Sequence, residues 1–204
     1  NNPTGAVATK AFYEKLVAWA KTYEVGVVSD LAYGALGYQG YENPSFLSTP
    51  GAKDVGIEFY TFSKTFNMAG WRLAFAAGND QMIEALNLIQ DHLFVGIFPA
   101  LQEAGIAALL DPKSEEVVAQ LNATYDSRRD AFVQAAAKIG WQAVPSRGSF
   151  YAWMPVPEGY TSESFADLLL EKAHVAVAPG KGFGPAGDAY VRIGLLVEPE
   201  RLVE

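Results

Sequence analysis

The sequence predicts an α/β fold, because short apolar runs alternate with stretches of helical periodicity along its 204 residues. The runs at 25–29, 57–62 and 71–77 have the length of strands, and helical patterns lie before the first and after the last. The last third of the chain, from 148 onward, mixes strand patterns with one helix. We therefore expect part of a mixed sheet with flanking helices, followed by a small α+β domain.

The first helix is predicted to begin after Thr9, whose hydroxyl can cap its N-terminus. Its expected buried face carries side chains at three-and-four spacing, namely Phe12, Leu16, Trp19 and Tyr23. The next apolar run ends at Asp30, which we expect at the carboxyl end of a buried strand, where open α/β sheets bind their ligands.

Two more strands are expected after the loop at 31–51. The strand at 57–62 ends just before Lys64, and the strand at 71–77 follows it. The catalytic candidates therefore follow strand ends.

Helices dominate the middle of the chain. Asn79 is a plausible cap, Pro99 should interrupt the helical pattern, and a long helix should run from Ser114 to Lys138, before Gly140. The end of the chain then predicts a strand at 148–154, a helix at 162–173, a glycine-rich turn at 179–184, a strand at 189–195 and a helix start at 198–200.

Composition narrows the possible function. The net charge of -8 and the scattered basic residues argue against a nucleic-acid surface, and the absence of cysteine excludes disulfides and thiolate metal sites. No apolar run approaches the length of a membrane span, and no signal-peptide pattern opens the chain. A cytoplasmic enzyme is the expected class.

Lys64 is the most informative residue. A lysine that forms an imine must be neutral part of the time, and apolar flanks with the nearby cation of Arg72 suit that requirement. The hydroxyls of Thr61 and Ser63, together with the planar fork of Arg72, suit a phosphate group. An aldehyde and a phosphate in one ligand indicate pyridoxal 5′-phosphate.

The other requirements of such a cofactor can be matched as well. A protonated ring nitrogen needs a carboxylate, for which Asp30 is the candidate. The phenol of Tyr33 and the amide of Asn2 can hydrogen-bond the ring oxygen from two sides.

Four separated segments resemble the class I and II aminotransferases of fold type I, and the similarity extends over essentially the whole chain. The segments are Asn1 to Gly5, Asp30 to Tyr33, Ser63 to Arg72, and Tyr190 to Gly194. The resemblance implies that Lys64 forms the imine, Asp30 pairs with the pyridine nitrogen, and Arg192 binds the substrate α-carboxylate. It also implies cofactor contacts for the remaining candidates, which are Asn2, Tyr33, Thr61, Ser63 and Arg72.

The resemblance further implies ping-pong transfer of an amino group between an L-amino acid and a 2-oxo acid, in a homodimer. Within the family, the sequence, especially at 32–35 and 44–47, resembles the branch that includes bacterial methionine-forming and diaminopimelate-type aminotransferases. Residues 1–112 would be the C-terminal half of the large cofactor-binding domain, and 113–204 the interdomain helix and small domain. The N-terminal part of the parent protein would then be missing, and we expect the isolated chain to be inactive.

Two alternatives stay open on the same fold. Carbon–sulfur lyases and decarboxylases share Lys64 and Asp30, and some transcription regulators carry an aminotransferase-like effector domain. Other polar residues have structural explanations: His92 and His174 suit helices and helix ends, and Arg128 and Arg129 are predicted to form a solvated charged face with nearby aspartates.

Overall fold

A computed structural model describes all 204 residues and divides them into two compact units. Unit 1 comprises Asn1–Val7, Gly37–Tyr41 and Asn122–Glu204, and unit 2 comprises Ala8–Leu36 and Glu42–Leu121. The assignment of 1–112 and 113–204 to two domains stays a prediction.

The sheet of unit 2 has three strands: β1 is Val27–Asp30, β2 is Gly56–Thr61 and β3 is Ala74–Gly78. The strand order is β1-β2-β3, with β1 parallel and β3 antiparallel to β2. The mixed sheet was expected. The third strand begins later than predicted, because Ala69–Trp71 forms a short 3₁₀ helix instead of extended chain.

Strand β1 is less buried than its apolar sequence suggests. Its residues alternate between partly buried and exposed, and Val28 is 61% exposed. The prediction of a buried strand was therefore wrong for this chain. The reason is that β1 is an edge strand, paired only with β2.

Helix α1, Lys10–Tyr23, begins as predicted, with the Thr9 hydroxyl accepting a hydrogen bond from the Phe12 amide at 3.1 Å. Of its predicted buried face, only Leu16 is partly buried, and the other three residues are exposed. The buried residues are Tyr13, Val17 and Ala20, and the first two pack in an apolar cluster with Phe46 and Ala52. The neighbouring stripe of Phe12, Trp19 and Tyr23 is exposed. Both stripes have helical spacing, so the packing partner decides which one is buried.

The other helices of unit 2 are α2 (Ala52–Val55), α3 (Phe62–Thr65), α4 (Asp80–Leu93) and α5 (Pro99–Leu110). Asn79 caps α4 by accepting from the Met82 amide at 3.1 Å. Pro99 is the first residue of α5, where its missing N–H costs nothing. The long helix α6 spans Ser114–Lys138, as the sequence predicts, and Gly140 beyond it adopts a φ of 76°.

Unit 1 contains the second sheet, in which β6 (Tyr190–Gly194) lies between β4 (Tyr151–Pro155) and β5 (Ala178–Pro179), antiparallel to both. Helix α7 spans Ser162–Ala173 and α8 spans Pro199–Leu202. One face of the sheet forms an apolar core with α6 and α7, made of Phe132, Ala136, Ala152, Met154, Phe165, Val191 and Leu195.

Arg129 does not belong to a solvated face, contrary to the sequence prediction. Its side chain is 3% exposed and lies within 2.6 Å of oxygens of Asp126 and Asp130. Its guanidinium also covers the ring of Tyr38 at 5.0 Å from the centroid. Two carboxylates and a ring face compensate the buried charge, which a pattern along the helix alone does not reveal.

No helix of the structure has both the length and the apolarity that a membrane span requires.

Candidate active site

The topology of the first sheet brings three of the predicted site residues to one edge, which is formed by the carboxyl ends of β1 and β2 and the beginning of β3. Asp30 ends β1, and Lys64 follows the end of the parallel strand β2. Arg72 precedes β3, whose first residue Ala74 pairs with Thr61 at the end of β2. Since β3 is antiparallel, its beginning lies beside the end of β2. The carboxylate, the amine and the guanidinium therefore emerge from the same edge.

Lys64 lies on the single turn of α3, which is held at both ends. The Thr61 hydroxyl accepts a hydrogen bond from the Ser63 amide at 3.2 Å, and the Phe62 amide donates to the Leu73 carbonyl at 3.2 Å. At the other end, the hydroxyls of Tyr60 and Thr65 are 2.8 Å apart. Burial raises the pKa of Tyr60, so its phenol stays protonated. Lys64 itself is partly buried.

The predicted phosphate ligands are two hydroxyls within hydrogen-bonding distance of each other and the Arg72 cation at the same edge of the sheet. The Oγ atoms of Thr61 and Ser63 are 3.0 Å apart. Arg72 adopts left-handed backbone geometry with a φ of 54°, and its Nη1 donates to the Ala69 carbonyl at 3.0 Å. Its side chain is exposed, so its other N–H groups can reach an anion.

The turn after β1 fixes Asp30 and Tyr33. The Asp30 carboxylate is exposed and accepts from the Ala32 amide at 3.2 Å. The amide of Asn43 crosses this turn and donates to the carbonyls of Gly34 and Leu36 at 3.2 and 3.0 Å. These bonds hold the turn that carries the Tyr33 phenol.

Asn2 and Arg192 meet in unit 1. The Nη1 of Arg192 donates to the Asn2 Oδ1 at 2.7 Å. Because arginine can only donate, the amide oxygen of Asn2 faces the guanidinium and its NH₂ group is available to donate elsewhere. The Asn2 amide can therefore accept from Arg192 and donate to a second group at the same time.

Two aromatic residues that sequence reasoning did not single out flank Arg192. Its guanidinium carbon is 4.2 Å from the ring centroid of Tyr151 and 4.8 Å from that of Phe183. The alternation of aromatic residues along β4 was a signal for Tyr151. Phe183 comes from the glycine-rich turn and has no such signal.

The donor set of unit 2 fits pyridoxal 5′-phosphate: an amine for the aldehyde, hydroxyls and a guanidinium for the phosphate, and a carboxylate for the ring nitrogen. This fit rests on the shared edge of the sheet. The individual roles of the site residues stay predictions.

The comparisons with known proteins agree with this chemistry. A family model described as aminotransferase class I and II matches residues 1–203. An L-glutamine–4-(methylsulfanyl)-2-oxobutanoate aminotransferase of Bacillus subtilis (strain 168) is 59% identical over 204 residues, which are 100% of this chain and 51% of that protein. An LL-diaminopimelate aminotransferase of Moorella thermoacetica is 48% identical over 204 residues, or 100% of this chain and 52% of that protein.

The fold matches solved structures as well. An apo structure of BacF from Bacillus subtilis superimposes with a TM-score of 0.95 at 47% identity, covering 99% of this chain and 51% of that one. The chain spans about half the length of the curated relatives it matches.

Proposed function

Because this chain belongs to the class I and II aminotransferases, we propose that the protein carrying it is a pyridoxal 5′-phosphate-dependent aminotransferase. It would move an amino group between an L-amino acid and a 2-oxo acid by a ping-pong mechanism. The observation that carries the proposal is the single sheet edge from which Asp30, Lys64 and Arg72 emerge. Similarity to aminotransferases over the full chain supports it.

The cofactor residues would be those of unit 2. Arg72 with the hydroxyls of Thr61 and Ser63 would bind the phosphate, and Lys64 would hold the aldehyde carbon covalently. When bound, pyridoxal 5′-phosphate supplies a ring that accepts electron density from the substrate Cα. Asp30 would keep the proton on the ring nitrogen, which stabilises the negative charge that develops during the reaction.

Lys64 has a second proposed role as the general base. Once the substrate amine has replaced it, its Nζ would remove the proton from the substrate Cα. Both ends of the α3 turn are hydrogen-bonded, which fixes the backbone of Lys64, so its nitrogen would move by rotation of the side chain. Tyr33 would hydrogen-bond the ring oxygen and favour its ionised form.

Arg192 would bind the substrate α-carboxylate in a two-point, charge-assisted contact. Asn2 would orient it, since the Asn2 Oδ1 already accepts from Nη1. Its NH₂ group would donate to the ring oxygen of the cofactor.

The test is an absorption spectrum of the full-length protein with pyridoxal 5′-phosphate, before and after addition of single amino acids. We expect a visible band that needs Lys64 and that shifts when a donor amino acid is added. Lys64→Ala should abolish both the band and amino transfer. Lys53→Ala, which removes an exposed lysine of α2, is the matched control and should keep both.

Two results would count against the proposal. If Lys64→Ala kept the band, another lysine would hold the cofactor. If the wild-type band formed but no amino acid shifted it, the protein would be better interpreted as a lyase or as an effector domain. The relatives reported above are aminotransferases, so neither alternative is favoured.

For the substrates, we propose glutamine as donor and 4-(methylsulfanyl)-2-oxobutanoate as acceptor, on the basis of the 59% identical relative. The apolar residues Leu36, Tyr38 and Phe46 of the loop at 33–46 are fully buried, so they give this assignment no support. Rates with this acceptor, compared with those of an acceptor that carries an amino group on its side chain, would separate this assignment from a diaminopimelate-type one. The homodimer and the cytoplasmic location stay predictions.

A further inference from the structure

The second sheet has an aromatic face opposite its apolar core. Side chains alternate between the two faces of a strand, so Tyr151 and Trp153 on β4 share a face with Tyr190 and Arg192 on β6. Trp153 pairs with Arg192 across the strands, and its ring stacks on Tyr190 with centroids 5.3 Å apart. Arg192 is therefore the one cation on this face of the two strands, which also carries three aromatic rings.

The guanidinium of Arg192 contacts two rings of this region. Tyr151 is its diagonal neighbour across the strand pair, and Phe183 comes from the turn between β5 and β6. The distances of 4.2 and 4.8 Å from the guanidinium carbon to the two ring centroids are within the range of cation–π contacts.

Two ring contacts and one hydrogen bond restrict the guanidinium strongly. Both rings contact the guanidinium, and the Asn2 Oδ1 accepts from one of its N–H groups at 2.7 Å. The remaining N–H groups point outward in the guanidinium plane, since all five donors are coplanar. A guanidinium held in this way offers a flat edge of donors and cannot rotate to follow a differently shaped ligand.

The rings are themselves supported. Tyr151 packs against Phe150 with centroids 4.8 Å apart, and Phe183 meets the ring of Trp153 edge-on at 5.9 Å. The turn that carries Phe183 closes through the backbone contact of Gly180 and Gly187, where neither residue has room for a Cβ.

We propose that Tyr151 and Phe183 are positioning residues, which fix the plane of the Arg192 guanidinium and so make it select a planar carboxylate over a tetrahedral or neutral group. This rests on the proposed function only in that Arg192 is taken as the carboxylate-binding residue. The two rings act through Arg192 and take no part in bond making or breaking.

The experiment measures binding by titration calorimetry of the full-length protein, with and without pyridoxal 5′-phosphate. The probes are 4-methylpentanoate, its amide, and 3-methylbutylphosphonate, which share an apolar tail and differ in the polar group. Tyr151→Leu and Phe183→Leu remove one ring each, and Tyr151→Phe and Phe183→Tyr keep the rings. The control Tyr160→Leu removes an exposed aromatic residue of unit 1 that is not one of the two rings at Arg192.

We expect each leucine variant to bind the carboxylate about tenfold more weakly. The affinity for the phosphonate should fall by a smaller factor, so the ratio of carboxylate to phosphonate affinity should decrease. Tyr151→Phe, Phe183→Tyr and Tyr160→Leu should stay within about twofold of the wild type. In steady-state transamination, the leucine variants should raise KM for the donor more than they lower kcat.

The proposal would be overturned if the leucine variants kept both affinity and selectivity, or if all probes weakened equally, which is the result expected from a general loss of structure. Phe183 lies on the surface, so its leucine variant should fold even if Tyr151→Leu does not. Selective carboxylate binding that depends on the rings, in a protein that forms no visible band with the cofactor, would support this inference and reject the proposed function. A normal cofactor band in a protein whose carboxylate selectivity does not depend on the rings would support the proposed function and reject this inference.

Discussion

Glu58 is a buried carboxylate whose hydrogen-bond donors are hydroxyls and a backbone amide. It is 7% exposed, and its oxygens accept from the hydroxyls of Ser29 and Ser45 at 3.0 and 2.5 Å and from the Phe46 amide at 2.7 Å. Three donors replace the lost water. This one side chain therefore ties β1 and the segment at 45–46 to β2.

We predict that Glu58→Gln lowers the free energy of unfolding by about 1–3 kcal/mol, because the new NH₂ group cannot accept and leaves a buried donor without a partner. Urea unfolding of the full-length protein measures the loss. Glu84→Gln, on the exposed surface of α4, is the control and should change stability by less than about 0.5 kcal/mol. Equal effects of the two substitutions would contradict this account of Glu58.

Tyr38 should make stability depend on pH in the alkaline range. Burial raises its pKa well above the ordinary value, with the Arg129 cation opposing part of the effect. Above about pH 10 an unfolded tyrosine loses its proton while folded Tyr38 keeps it, so rising pH favours the unfolded chain. The stabilising contribution is thus complete below this pH and is lost above it.

Accordingly, the wild type should lose about 1 kcal/mol more stability than Tyr38→Phe between about pH 9 and about pH 11. At neutral pH the variant should be the less stable one, because the Ser149 carbonyl loses its hydrogen bond from the Tyr38 hydroxyl. Urea unfolding at each pH provides the comparison, with Tyr23→Phe as the control for removal of an exposed hydroxyl. Parallel curves for the wild type and Tyr38→Phe would argue against the role of burial.

At the scale of elements, the turn at 180–187 depends on two glycines that touch through their backbones. A Cβ on Gly180 would lie 2.5 Å from the Tyr190 carbonyl oxygen and still closer to that of Gly187. Backbone atoms of this kind cannot move aside cheaply. The turn that carries Phe183 would have to open.

Gly180→Ala is therefore expected to lower the free energy of unfolding by about 1–3 kcal/mol and to weaken binding of 4-methylpentanoate. Gly182→Ala lies in the same turn but has no heavy atom within 4 Å of its added Cβ, so it should leave both quantities unchanged. Thermal unfolding and calorimetric titration measure the two effects. A Gly180→Ala protein that behaves like the Gly182→Ala protein would show that the turn tolerates a side chain.

Local signals explain which elements could be predicted from the sequence. The helices α6 and α7 occur with the predicted bounds, because capping residues and glycine act within a few positions of the chain. The exposed face of α1 and the exposed edge of β1 depend on partners distant in sequence, which periodicity does not contain. Strand β5 has only two residues and exists through its pairing with β6.

The candidate site follows the same rule. Lys64 and its neighbours could be recognised because the chemistry requires them within one short segment, next to a strand end. Tyr151 and Phe183 act on Arg192 across strands and a turn, so their role emerges only from the distances between them. Arg129 was misread for the same reason, since its compensating ring comes from Tyr38, far away in sequence.

At the scale of the whole molecule, the chain exposes many large apolar side chains. A stretch of unit 2 from the end of α4 into α5 carries several of them, namely Leu93, Phe94, Val95, Phe98 and Leu110. Contiguous apolar surface of this kind usually marks a region that another surface covers.

We predict that the 204-residue chain, expressed alone, self-associates and increases the fluorescence of a hydrophobic dye. Light scattering after size exclusion and a dye titration test this. Phe94→Ser with Val95→Ser should reduce both signals, whereas Tyr160→Ser, outside this stretch, should not. A monodisperse monomer that does not increase the fluorescence of the dye would contradict the prediction.

The hydrogen bond between Asn2 and Arg192 joins residues that are 190 positions apart in the chain. At the usual speed of protein synthesis, about 5–20 residues per second, the asparagine leaves the ribosome roughly 10–40 s before the arginine. Throughout that interval the Asn2 Oδ1 lacks its Arg192 donor. The hydrogen bond between Asn2 and Arg192 can therefore form only after both residues have been synthesised, and a nascent chain that stalls between them would present Lys64 without Arg192.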